Sequence, residues 1–332
     1  MPPELGTAVF GVYATQALHL ADKTGLFAYL TDHGGATSAD TATALDVDQE
    51  TLDRLLLVLV SLRVVERDDL GGHRLPEGAR PYLDKREPQY VLGFVDHLLG
   101  SAAEQFGVLA DYLARGKKAV DAERPAPFDE LYRDVGSTRR FLDAMWQLSF
   151  HVSHELAARA ELGDARRLVD VGGASGPFSV AALSTYPELT STVFDLPEVE
   201  PFLKETVDRY RLEGRLGFAS GSFFTDPLPE GDAFAFGYIL SDWDDETCAT
   251  LLRKAYDSCV PGGRVLVMER LFDEDRTGPL PTAVMNLSMH FETEGRHRTP
   301  GEYTELLRGA GFTECAVHRS SADKHLVVGR RV

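Results

Sequence analysis

Residues 1–90 carry their apolar side chains at helical spacing. Over 8–27, Val9, Tyr13, Ala17 and Leu20 fall along one face. Ser38-Ala39-Asp40-Thr41-Ala42 reads as a Ser-capped helix start. Residues 51–62 are strongly apolar, with Leu52, Leu55, Leu56, Leu57, Val58, Leu59 and Val60. Over 64–75 two short β-like pieces flank a Gly71-Gly72 turn. Three helices and a small hairpin form a winged-helix order, so 1–90 is expected to be an all-helical, winged-helix-like domain. Its third helix lacks an outer face rich in Arg and Lys, which points to packing or dimerisation rather than DNA binding.

Residues 91–160 read as linker and pocket helices, with a Pro-containing break at Arg124-Pro125-Ala126-Pro127. The rhythm changes near 155–165. Short apolar runs at 168–171, 191–194, 216–219, 233–239 and 264–268 alternate with helical stretches. That alternation predicts βαβ units and a parallel sheet, an α/β domain over 161–332.

Composition narrows the function. Net charge is −18, which repels nucleic acid phosphates. No run approaches the roughly 18 apolar residues of a membrane span. Met1-Pro2-Pro3-Glu4 lacks the basic and apolar regions of a signal peptide. Cys248, Cys259 and Cys315 form no CxxC pair and no zinc spacing, and read as reduced thiols of a cytoplasmic protein.

Leu168-Val169-Asp170-Val171-Gly172-Gly173-Ala174-Ser175-Gly176 runs from a strand through a Gly-rich turn into a helix. Glycines there let backbone approach a ligand closely. The next strand ends at Asp195, in Val193-Phe194-Asp195-Leu196-Pro197, where a carboxylate can accept from both ribose hydroxyls. The spacing is not the dinucleotide G-x-G-x-x-G, because Val171 stands two positions before Gly173.

These two segments are followed in order by Gly221-Ser222-Phe223-Phe224, Asp242-Trp243-Asp244-Asp245, Pro261-Gly262-Gly263 and Thr293-Glu294-Gly295 to Arg298-Thr299. Together they resemble the two-domain, S-adenosylmethionine (SAM)-dependent small-molecule O-methyltransferases of the acetylserotonin O-methyltransferase type. The resemblance implies a Rossmann-like SAM-binding domain, a small-molecule substrate pocket between domains and a homodimer formed through the N-terminal domain. It implies no nucleic acid or membrane partner. For the cofactor it implies Gly172 under the methionine part, Asp195 and Leu196 at the ribose, Gly221, Ser222 and Phe223 around the adenine, and Tyr238 nearby. For the substrate it implies Met145, Trp146, Phe150, His151 and His290. Core packing is the other reading of the Met and Trp on that helix.

Four positions depart from the family pattern. Ser241 stands where the family has its general-base histidine. Tyr238 replaces an Arg or Lys near the cofactor, Ser222 replaces an Asp beside the adenine, and His297 replaces a Glu that supports the base. Glu269 still matches the other supporting Glu. Methyl transfer needs mainly alignment, which can supply roughly 7–11 kcal/mol. A general base adds about 10²–10⁴-fold. Four readings stay open. In the first, the acceptor needs no strong base: a carboxylate, an acidic phenol, an amine or an electron-rich carbon. Alternatively, Asp242, Glu269, His290 or His297 is the base. In the third, His290, His297 and Asp242 hold a metal, although no metal is assigned. In the fourth, SAM is bound but a decarboxylase-, hydroxylase- or pericyclase-like reaction runs on the scaffold.

Overall fold

The computed structural model describes residues 1–123 and 132–332. The Pro-containing break at 124–127 therefore lies outside the described residues. The chain divides into two compact units, Met1–Ala102 and Ala103–Val332.

In the first unit α1 (Pro3–Lys23) and α2 (Leu26–His33) are separated at Gly25, whose φ of 78° is left-handed. The helix expected over 8–27 thus starts earlier and is cut at a residue that tolerates positive φ at no steric cost. The strand β1 (Ala36–Thr37) leads into α3 (Ser38–Leu45). The cap of α3 is Thr37 rather than Ser38, its hydroxyl accepting from the Asp40 N–H. The apolar third helix is α4 (Gln49–Ser61), capped by Asp48. Leu52, Leu56 and Leu59 of α4 pack with Leu26, Phe27, Leu30 and Val65. The unit is not all-helical. β2 (Glu66–Arg67) and β3 (Gly72–Arg74) join β1 in an antiparallel sheet of order β1-β3-β2. The Asp68 carboxylate makes the hairpin turn, accepting from the Leu70 and Gly72 N–H groups. Two- and three-residue strands are too short to show an alternating pattern in sequence.

Within the first unit α5 (Arg80–Leu83) follows, and α6 (Leu92–Arg115) crosses the division between units. Then come α7 (Lys117–Asp121) and α8 (Val135–Arg159). The second unit is built on β4 (Arg167–Val171), α9 (Pro177–Thr185), β5 (Thr190–Asp195), α10 (Glu200–Tyr210), β6 (Leu216–Ser220), β7 (Gly231–Gly237), α11 (Asp245–Ser258) and β8 (Cys259–Glu269). It ends with α12 (Leu280–Glu292), α13 (Pro300–Ala310), β9 (Thr313–His318) and β10 (His325–Arg330). The seven strands run in the order β6-β5-β4-β7-β8-β10-β9. The first five strands pair in parallel, whereas β10 is antiparallel to both neighbours.

The central strands read as apolar runs because both faces are covered. Residues of α8, α9 and α10 pack on one face of the sheet, and residues of α11 and α13 on the other. The strand order reverses between β4 and β7. An open α/β sheet offers a crevice at the carboxyl ends of its strands at such a point. Among the described residues, no helix is long and apolar enough to cross a membrane.

Candidate active site

The turn after β4 is shaped by close backbone approach. Gly172 has φ 64°, and a Cβ there would stand 2.4 Å from Ile239 Cδ1 and 3.7 Å from the Phe223 ring. A side chain at 172 would therefore collide with Ile239, just past the β7 end. Asp195 closes β5. Its carboxylate accepts from the Ala174 N–H at 2.9 Å and the Leu196 N–H at 2.8 Å, which ties the β4 turn to the β5 end. Burial lifts its pKa to about 6 in spite of these two donors. Asp170 is likewise lifted to about 6 by burial, and accepts from the Ser179 hydroxyl at 2.7 Å. The Ser222 N–H is held by Asp226, and Phe223 stacks edge-on against Phe224 and Trp243. The Gly221 N–H donates to the Asp195 carbonyl.

The ends of β7 and β8 differ in character. Tyr238 has φ 57°, an uncommon conformation for a bulky residue. Ser241 and Glu269 are both fully buried, and the Ser241 N–H donates to Glu269 Oε1 at 3.2 Å. Glu269 Oε2, the Ser241 hydroxyl, the Tyr238 hydroxyl and both ring nitrogens of His297 have no hydrogen-bond partner among the described residues. An unsatisfied buried polar group costs about 1–3 kcal/mol, so a cluster of them marks a place that an occupant completes.

The 293–299 loop brings His297 here. A Cβ at Gly295 would stand 2.1 Å from the Ser241 carbonyl oxygen, so only glycine lets the loop pass. Arg298 locks the approach, donating to the Leu240 and Trp243 carbonyls and to the Asp245 carboxylate. The His297 backbone N–H donates to Asn286 Oδ1 at 2.8 Å.

Charge distinguishes the candidate bases. Burial, aided by Arg270 and Arg298, pushes His297 down to about 3, so its ring is neutral and a poor proton acceptor. Burial raises Glu269 to about 7. Asp242 is held well above the carboxylate range by burial and by the charges of Glu269 and Glu292. Asp244 and Asp245 belong to the start of α11, where Asp244 caps the helix.

The remaining expected residues are dispersed. Trp146 stacks on Phe150 and both meet Tyr210, against the core of the α8–α9 face. Met145 is half-buried on the same helix, and burial lowers the pKa of His151. His290 is exposed and packs edge-on to Tyr112. Among the described residues, no group of three or more His, Cys, Asp or Glu side chains could hold a metal ion.

Two features went unread in the sequence. Glu292 accepts from Gln105 Nε2 at 2.7 Å, and the Ser288 hydroxyl donates to Gln105 Oε1 at 3.0 Å. The only sequence signal was an acid ending an otherwise apolar helix. Lys324, from the β9–β10 hairpin, is buried against Tyr238. Nothing near it in sequence announces that contact.

An O-methyltransferase domain profile matches residues 106–313, and an O-methyltransferase dimerisation domain profile matches residues 7–84. The chain is 31% identical to acetylserotonin O-methyltransferase of Homo sapiens, over 97% of this chain and 95% of that protein. It is 33% identical to 3-hydroxy-5-methyl-1-naphthoate 3-O-methyltransferase of Streptomyces sahachiroi, over 94% of this chain and 90% of that one. The crystal structure of human N-acetylserotonin methyltransferase in complex with SAM superposes with a TM-score of 0.85 at 31% identity, covering 98% of this chain and 96% of that chain.

Proposed function

The chain belongs to the O-methyltransferase family, and from that premise we propose that it methylates an acidic hydroxyl of a small aromatic metabolite, with Glu269 taking the proton. The enzyme is a SAM-dependent methyltransferase. The relatives named for a naphthoate and for acetylserotonin support an aromatic acceptor.

The residues present fit the cofactor. Gly172 leaves the space that any Cβ would fill, and the Asp195 carboxylate stands at the β5 end to receive ribose hydroxyls. The chemistry supplied by the bound cofactor is an electrophilic methyl on a sulfonium, whose sulfur leaves as a neutral thioether. Everything else falls to the protein: it excludes water, aligns the acceptor and removes one proton.

The observation that carries the base assignment is Glu269, fully buried, with one oxygen held by the Ser241 N–H and the other unpartnered. A general base works best with a pKa near the working pH, and burial places Glu269 at about 7. Asp242, held well above the carboxylate range by burial and by the charges of Glu269 and Glu292, stands next to Ser241 in the chain. The Ser241 hydroxyl positions the acceptor beside Glu269. A base of this strength suits a phenol already acidified by its ring.

Incubation with methyl-labelled SAM and a panel of naphthols, hydroxynaphthoates and amines tests the reading. Label on a hydroxyl oxygen is the expected product. Label only on nitrogen or carbon, or cofactor bound with no transfer to any acceptor, would refute it.

The dimerisation-domain match supports a homodimer. So does α1, which exposes Leu5, Val9, Phe10, Val12 and Tyr13, an apolar stripe of the kind that marks an interface. The full chain should show twice its 36.5 kDa mass by light scattering, and Phe10→Asp should shift it toward monomer.

A further inference from the structure

Lys324 is a buried lysine that the proposed chemistry leaves unused. It is 2% exposed, enters from the hairpin between β9 and β10, and places Nζ 4.0 Å from the centroid of the Tyr238 ring. Nζ donates to Ser149 Oγ of α8 at 3.2 Å. That is its hydrogen bond among the described residues, and an ammonium has three donors to place. The backbone makes room for it: a Cβ at Gly237 would stand 3.2 Å from Nζ. The group therefore lies at the ends of β4, β7 and β8, within the fields of Asp170, Glu269 and Arg270.

Neighbouring cations are already committed. Arg298 holds Asp245 and two carbonyls, and Arg270 pairs with Asp323. Unlike Arg298 and Arg270, Lys324 makes no ion pair at contact distance with a carboxylate among the described residues. Burying an ammonium in that condition is costly unless an anion arrives. The methionine end of the cofactor carries a carboxylate, and the charges that act on the Lys324 ammonium come from Glu269, Asp170 and Arg270.

We propose that the Lys324 ammonium receives the carboxylate of the cofactor's methionine end, from a hairpin rather than from the β7 end, where Tyr238 supplies only a ring face. The inference rests on the assignment of SAM as cofactor. Calorimetric titration of the full chain and its Lys324→Met variant with S-adenosylhomocysteine, which carries the carboxylate, and methylthioadenosine, which lacks it, tests it. Lys324→Met should weaken S-adenosylhomocysteine roughly 10- to 100-fold and change methylthioadenosine less than about threefold. Equal losses for both ligands, or no loss for either, would overturn the proposal. If Lys324→Met does not fold by circular dichroism, Gly237→Ala crowds the ammonium and should give the same selective loss, with the same overturning results. Wild-type protein that binds neither ligand would sink the cofactor assignment and this proposal with it.

Discussion

The ends of β4 and β5 and the ends of β7 and β8 face one crevice but are finished differently. At the first pair the buried acids are committed. Asp195 holds two backbone N–H groups and Asp170 holds a serine hydroxyl. At the second pair Ser241, Glu269, Tyr238 and His297 are buried with polar atoms left open. A satisfied network is rigid and keeps one shape. An unsatisfied one awaits a partner. The ends of β4 and β5 thus keep one shape, while the ends of β7 and β8 leave polar atoms for an occupant to complete.

The contrast predicts a graded set of losses. Asp195→Ala removes both the ribose acceptor and the tie between the β4 turn and β5. Each charge-assisted bond is worth about 1.5–3 kcal/mol, so S-adenosylhomocysteine affinity should fall at least roughly 100-fold by calorimetry. Unchanged affinity would mean that the cradle is not where the cofactor lies. Glu269→Gln is expected next, with kcat down about 10²- to 10³-fold and cofactor affinity within about threefold. Its pH signature has a definite sign. The working form is the carboxylate and burial raises its pKa to about 7. Wild-type kcat/KM should therefore fall tenfold per unit as pH drops below 7 and level off above it. Glu269→Gln should flatten that limb, and a limb that survives the substitution would move the base to another group.

How much of this could be read from sequence follows from the same division. The cradle was legible because its chemistry is local: a Gly-rich turn after one strand and an acid ending the next. The apolar runs of β7 and β8 were legible because central strands covered on both faces are mostly apolar. The β9–β10 pair escaped notice because an antiparallel return needs no crossover helix, and its strands carry Thr, Glu, Cys and His among the apolar residues. Glu292 with Gln105, and Lys324 with Tyr238, escaped for a different reason. Their partners are separated by 187 residues in the first case, and come from segments next to different strands in the second. Pairing at that range is a property of the fold. His297 was visible in the sequence, but only its buried surroundings reveal that it is a weak base.

Ser241→Ala should have the smallest effect, and its size separates two roles. The backbone N–H that holds Glu269 survives the substitution, so the base stays in place. The lost hydroxyl has no protein partner, so its removal relieves a buried unsatisfied group, and thermal stability should stay level or rise slightly. If the hydroxyl only positions the acceptor, one neutral hydrogen bond is lost. That is worth about 1 kcal/mol, or about fivefold in kcat/KM, with the pH limb near 7 intact. If the hydroxyl instead passes the proton to Glu269, the loss should approach that of Glu269→Gln and fall on kcat. Steady-state kinetics at two pH values, one on each side of 7, distinguish these outcomes. A loss above about 100-fold on kcat would make the serine a proton carrier rather than a positioning group.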